Sequence, residues 1–370
     1  MTSDPRAPSL QPLSFDALAG FADDDALAAW RAFRDWAQAS LSGAPEFRKA
    51  RAPSPGLMEA AAAAVAADLA DAAAARRFFV ERFRPWRVGS DAADGSGFLT
   101  GYYEPIVEGA LTQTPAFSSP LFARPADLVS FPPGGGPRDF DPALAGAQRL
   151  PDGTLRPYPE RAEIEARDGE AIAWLADPVE VFFVQVQGSA RLRLPDGREA
   201  RLVYDGRNGQ PYTSIGRLLI EAGEIGEREM SLARLKAWLR TNGLRVGERG
   251  RAILQRNRSY IFFRLETGAD PALGPIGGAG VALTPLRSIA VDRTIWPYGT
   301  PFWIDADLPW ASEAPSPFSR LMIAQDTGSA ILGAARADIF FGAGEAAGGR
   351  AGDLRHRGDF TVLLPIGDEP

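Results

Sequence analysis

The chain has 370 residues, 45% of them apolar and 24% charged, the balance of a soluble globular protein with two domains or one domain carrying a large insertion. A net charge of −7, with no block of Lys or Arg, argues against nucleic acid as a partner. Cysteine is absent, which excludes disulfides, thiol nucleophiles and thiolate metal sites. The one histidine, His356, lies in the polar run DLRHRGD and reads as a surface residue, so a His-rich zinc site is excluded and a Ser-His-Asp triad would need that residue as its base. No cofactor and no metal are expected. No apolar run approaches the ~20 residues of a membrane span, and the start MTSDPRAPSL lacks the basic and apolar segments of a signal peptide. The expectation is a cytosolic chain, or one whose leader is absent.

Residues 1–13 read as disordered or extended. Asp23, Asp24 and Asp25 then offer a helix cap, and Leu27, Trp30, Phe33 and Trp36 follow at helical spacing as a core face. A second, Ala-rich helix is expected over 56–84, stopped by Pro85. From Phe98 the run FLTGYYEPIVEG reads as a strand with paired tyrosines. Residues 112–160 are crowded with Pro and Gly and read as a long irregular connection, followed by a short helix over 160–167. VEVFFVQVQGSARLRLPDGREARLVYDG carries period-2 runs on both sides of Asp196-Gly197, a hairpin signal. In its first half Phe182, Val184 and Val186 would share one strand face, and Gln185 and Gln187 the other. Amides on an exposed face suit sugar hydroxyls, and equally suit plain solvent. Helices are expected over 214–222 and 231–241. Beyond Asn257 the runs SYIFFRL, VALTPLRSIAVD and TPFWIDADL, then 320–325, 339–341 and 360–365, read as short strands of a small barrel.

The chemistry concentrates in residues 321–342, LMIAQDTGSAILGAARADIFFG. Asp326 ends one apolar run and Asp338 begins another. A carboxylate against such walls loses hydration, its neutral form is favoured and its pKa rises, as a general acid near neutral pH requires. A turn-capping Asp and a solvated strand end would look the same in sequence. Without Cys and with one His, carboxylates are the natural catalysts. An aspartic protease needs two Asp-Thr-Gly copies and the chain has one, at 326–328. A glycosidase could pair Asp326 with Asp338. A glycan lyase, in which a substrate hydroxyl is the nucleophile, needs one carboxylate, first as acid and then as base.

TGYYEP (100–105), PYPERAEI (157–164), VQVQGSARL (184–192), YDGRNGQPYTSIG (204–216), GVALTPLRSIAVD (280–292) and QDTGSAILGAARADIFFG (325–342) together resemble the membrane-bound lytic murein transglycosylase A family, with its C-terminal three-Asp barrel region. The resemblance spans roughly residues 98–365 and omits the N-terminal helices. It implies a mainly β fold with N-terminal helices: a double-psi β-barrel (98–110 and 255–370) interrupted by a smaller β-rich domain (111–254), a substrate groove between them, and residues 1–97 packed on the barrel. It also implies cleavage of the β-1,4 bond between N-acetylmuramic acid and N-acetylglucosamine in peptidoglycan, leaving 1,6-anhydromuramic acid ends. By the same resemblance Asp338 is the acid/base and Asp326 its support. Thr100, Gly101, Tyr102, Tyr103, Gln185, Gln187 and Ser189 would bind glycan strands. The protein is then expected in the periplasm, its outer-membrane anchoring undecided. An inverting hydrolase using both acids, or a non-catalytic peptidoglycan-binding module, remains the alternative.

Overall fold

The computed structural model describes residues 8–90, 95–132, 135–167, 169–268, 270, 272–312, 314–352 and 354–369. The chain forms two compact units, one made of Met1–Tyr103 with Pro271–Pro370 and the other of Glu104–Asp270.

The first unit opens on β1 (Leu10–Pro12), within the stretch expected to be extended or disordered; residues 1–7 lie outside the described ones. Helix α1 (Ala26–Leu41) starts at Asp25, whose carboxylate accepts the Ala28 N–H at 3.2 Å. Trp30, Phe33 and Trp36 are buried as their spacing demands, while Leu27 packs at the edge. The single helix expected over 56–84 is instead α2 (Pro55–Ala66) and α3 (Ala72–Arg82), because Asp71 caps a new start by accepting the Ala74 N–H at 2.8 Å. Pro85 lies not at a helix end but inside β2 (Phe83–Val88). Phe33 meets Phe79 and Phe83 edge-on at 5.9 and 6.0 Å, so the helices share one aromatic core. Strand β3 (Gly97–Glu104) follows.

The second unit carries β4 (Ile106–Ala110), β5 (Ser119–Phe122), β6 (Leu128–Ser130), β7 (Gly146–Arg149) and β8 (Leu155–Pro157). The expected long irregular connection therefore contains strands, short ones between Pro/Gly turns. Then come α4 (Arg161–Glu165), β9 (Ala171–Leu175), α5 (Pro178–Gln187), β10 (Ser189–Arg193) and β11 (Glu199–Arg207). Helices α6 (Ile215–Glu221), α7 (Leu232–Thr241) and α8 (Arg249–Arg256) precede β12 (Ile261–Thr267). One sheet runs β12-β11-β10-β4-β9-β5 and a second runs β6-β7-β8. The hairpin at Asp196-Gly197 is present, with Gly197 at φ +82°. Residues 178–187 correct the sequence reading: they are the helix α5, not a strand. Asp177 caps it, Pro178 fits its first turn, and Gly188 closes it at φ +82°.

The chain returns to the first unit through β13 (Ser288–Val291), β14 (Pro301–Leu308), β15 (Ser316–Asp326), β16 (Arg336–Ala343), α9 (Glu345–Gly352) and β17 (Arg355–Pro365). Their sheet runs β1-β2-β17-β14-β15-β13-β16-β3, and a β17–β3 pairing closes it into a six-stranded barrel of β3, β17, β14, β15, β13 and β16. SYIFFRL, expected among the barrel strands, instead supplies β12 to the other unit.

Helix α1 packs directly on this barrel. Gly299, at φ +83°, must be glycine because a Cβ there would stand 2.3 Å from the Trp36 ring. Arg287 forms a buried bidentate pair with Asp24 at 2.7 and 2.8 Å, and Asp24 also accepts the Leu321 N–H at 3.0 Å. Asp24→Ala would strand the Arg287 charge, so it is expected to cost about 3–5 kcal/mol. Denaturant unfolding followed by tryptophan fluorescence checks this, and a change within error would show the pair to be dispensable.

Candidate active site

The barrel register sets the two acids level with each other. Ala290 in β13 is the partner of Asp338 across the antiparallel β13–β16 pair. After a register shift past Ile289, it is also the partner of Asp326 across the parallel β13–β15 pair. With strands about 4.8 Å apart, the two Asp backbones stand about 10 Å from each other with one methyl side chain between them.

Strand β3 supplies the groups that meet the acids. Alternation puts Thr100 and Tyr102 on one face, Gly101 and Tyr103 on the other. The Thr100 hydroxyl donates to Asp338 Oδ1 at 2.6 Å, and the Tyr102 hydroxyl to Asp326 Oδ2 at 2.9 Å. Gly278 N–H donates to Asp326 Oδ1 at 2.8 Å, so both Asp326 oxygens already accept a hydrogen bond. Gly278 has no room for a side chain: a Cβ would lie 2.4 Å from the Tyr298 hydroxyl and 3.3 Å from Asp326 Oδ1. Arg48 braces this side. Its N–H reaches Gly278 O at 3.1 Å, its Nη1 reaches Thr327 O at 2.8 Å, and its carbonyl accepts the Tyr298 hydroxyl at 2.9 Å.

Burial dominates the electrostatics. Asp338 is half-buried beside Ile339, Phe340 and Phe341, themselves buried, and its pKa is pushed up to about 6. Desolvation is the main cause and the Asp326 charge adds to it, while Arg336 and the Thr100 hydrogen bond oppose the rise. Tyr102, with its ring 5.4 Å from that of Phe340, is held well above the ordinary tyrosine range by burial and by both carboxylates. It therefore stays a proton donor to Asp326. His356 lies in β17, where its Nδ1 accepts the Arg355 N–H at 3.1 Å.

Of the residues singled out in the sequence, Asp326, Asp338, Thr100 and Tyr102 come together. Gly101 lies under α9, where a Cβ would sit 2.8 Å from Ala351 Cα. Tyr103 is 7% exposed and faces α9, tight enough that a Cβ on Gly348 would be 2.7 Å from its ring, so its side chain points away from the acids. Gln187 and Ser189 belong to the other unit and flank Gly188 at the end of α5. Gln185 is 3% exposed, which corrects the expectation of an open amide face, since residues two apart on a helix point in different directions. Gly278, Arg48 and Arg336 escaped the sequence reading. Only Arg336 carried a signal, two residues before Asp338 on the same strand.

A barrel that sets one acid of raised pKa beside a braced carboxylate, with threonine and tyrosine hydroxyls around them, can give up a proton and take one back near neutral pH. Comparisons with known proteins specify the class. The MltA specific insert domain matches residues 98–264 and the 3D domain matches residues 287–364. Membrane-bound lytic murein transglycosylase A of Escherichia coli K12 is 31% identical over 288 residues, covering 75% of this chain and 68% of that protein, about two thirds of its length. The crystal structure of a membrane-bound lytic murein transglycosylase from Agrobacterium tumefaciens is 36% identical with a TM-score of 0.85, covering 97% of this chain and 98% of that one. Escherichia coli MltA with bound chitohexaose is 26% identical with a TM-score of 0.65, covering 98% and 95% of the two chains. The chain belongs to the membrane-bound lytic murein transglycosylase A family.

The raised pKa of Asp338 is also a statement about stability. A carboxyl whose pKa rises from 3.8 to about 6 on folding supports the fold below about pH 4, and that support is lost as pH climbs through 6. Asp338→Asn is therefore expected to be more stable than the parent at pH 8, by about 2–3 kcal/mol, with the gap closing toward pH 4. Denaturant unfolding at both pH values checks this, and a gap independent of pH would contradict the raised pKa.

Proposed function

We propose that this protein cleaves the β-1,4 bond between N-acetylmuramic acid and N-acetylglucosamine in peptidoglycan, with Asp338 as the single acid/base. Neutral Asp338 gives its proton to the glycosidic oxygen as the C1–O bond breaks. Positive charge then develops at C1, and the Asp326 side chain lies where it can favour that charge electrostatically. The Asp338 carboxylate next takes the proton of the muramyl C6 hydroxyl, whose oxygen bonds to C1 and closes the 1,6-anhydro ring. No water enters the product.

The observation that carries this reading is the asymmetry between the acids. Asp338 has a pKa of about 6 and one oxygen outside the Thr100 hydrogen bond, while both Asp326 oxygens hold donors. An inverting hydrolase would need Asp326 to take a proton from water, yet both its oxygens are already engaged by Tyr102 and Gly278. A chitohexaose-bound relative supports a glycan strand as ligand. In the same proposal the barrel has double-psi threading and the Glu104–Asp270 unit binds glycan through Gln187 and Ser189. Tyr102 belongs to the catalytic site, and buried Gln185 is left out. The periplasm is the compartment where this substrate is found. Among the described residues no helix is long and apolar enough to cross a membrane.

Digestion of purified sacculi tests the assignment. The parent protein should release muropeptides one water lighter than hydrolysis products, and Asp338→Asn should lower the rate by about 10²–10⁴-fold. Asp326→Asn should lose less, and its alkaline pH limb should move to lower pH, because the charge that raises the Asp338 pKa is gone. An active Asp338→Asn, or Asp326→Asn as the more damaged variant, would overturn the assignment.

A further inference from the structure

Arg336 enters β16 two residues before Asp338, half-buried, with its guanidinium 5.2 Å from the centre of the Phe98 ring. Its Nη1 faces the carbonyls of Phe98 and Ala337. Its Nη2 donates to Thr100 Oγ1 at 2.7 Å, the same oxygen that lies 2.6 Å from Asp338 Oδ1. A guanidinium has donors and no acceptor, and a hydroxyl has a single proton. Oγ1 must therefore accept from Arg336, and the guanidinium charge on that side turns the hydroxyl proton the other way, toward Asp338 Oδ1.

We propose that Arg336 is a positioning residue which, acting through Thr100, keeps Asp338 Oδ1 an acceptor in both protonation states, so that the catalytic proton is carried by Oδ2 alone. The inference rests on Asp338 being the acid/base of the preceding section. It adds which oxygen works, and why. Were Arg336 absent, the Thr100 hydroxyl could turn and accept a proton from Oδ1, leaving the acid's proton in a hydrogen bond that faces no substrate. With Arg336 present, the oxygen that releases the proton to the leaving group is also the one that later takes the C6 hydroxyl proton. Thr100, expected from the resemblance to bind glycan, becomes part of the acid's own scaffold.

The other charged and titratable groups facing Asp338 are Asp326 on β15 and Tyr102 on β3, with Arg48 acting on Tyr102. They let the positioning role be separated from a simple field effect. Arg336 is a positive charge that lowers the Asp338 pKa, so Arg336→Met moves that pKa, and the alkaline limb, upward. A field effect alone would then leave the acid-side plateau intact and raise activity at higher pH. Positioning instead predicts a lower plateau, where every variant has Asp338 protonated.

The test is kcat and KM on soluble glycan chains across pH for the parent, Arg336→Met, Thr100→Val and the double variant, with folding checked by circular dichroism. Anhydro products from the parent and an inert Asp338→Asn first establish the acid itself. Each single variant should then lower the plateau kcat by about tenfold or more with KM little changed, and the double variant should be no worse than the weaker single, since both changes break one chain of contacts. An unchanged plateau in Arg336→Met, a loss confined to KM, or losses that multiply in the double variant would overturn the proposal without touching Asp338 as the acid. Thr100→Val breaks the relay at its other end, so a misfolded Arg336→Met would still leave a decisive variant.

Discussion

The site depends on Ala290. Its place in β13 makes it the register partner of Asp326 on one side and Asp338 on the other, and its side chain is the smallest that still fills a strand position. Closing six strands into a barrel keeps those three residues level, because a strand that slipped by one position would turn an acid to the opposite face. The acids are thus close enough for one charge to be felt by the other, while their surroundings differ. Asp326 is held by a backbone N–H and a phenol, while Asp338 has a threonine on one oxygen and apolar walls around it.

The N-terminal helices support this arrangement from behind. Gln325, fully buried and next to Asp326, donates to Ala32 O of α1 at 2.8 Å and accepts the Ser288 hydroxyl. Asp24 and Arg287 tie the start of α1 to the loop that enters β13. A segment without distinctive motifs therefore fixes β15, which carries Asp326, and β13, which pairs with the strands of both acids. Holding an acid at a pKa of about 6 opposes stability near neutral pH.

Much of this was legible in the sequence, and the failures have physical causes. The apolar stripe of α1 and the hairpin at Asp196-Gly197 were readable because each carries both a period and a cap or turn residue. Residues 178–187 were misread because β-branched and aromatic residues alternating with polar ones imitate a strand, although Asp177, Pro178 and Gly188 already marked a helix. The break at Asp71 was hidden by an alanine run that suits a helix on both sides. At the site, apolar flanks pointed to Asp326 and Asp338, and the family resemblance brought in Thr100 and Tyr102. Gly278 could not be found that way, since its contribution is a backbone N–H and an absent side chain. Tyr103 was grouped with Tyr102 because sequence adjacency conceals that strand neighbours face opposite ways.

The central claim is that the nucleophile belongs to the substrate and that one carboxyl manages both proton transfers. Digesting sacculi in water enriched in oxygen-18 and weighing the released muropeptides tests it most directly. The account requires anhydro ends that contain none of the label. Label at the C1 position of newly formed reducing ends would mean that water attacks, and Asp326 would then have to be its base.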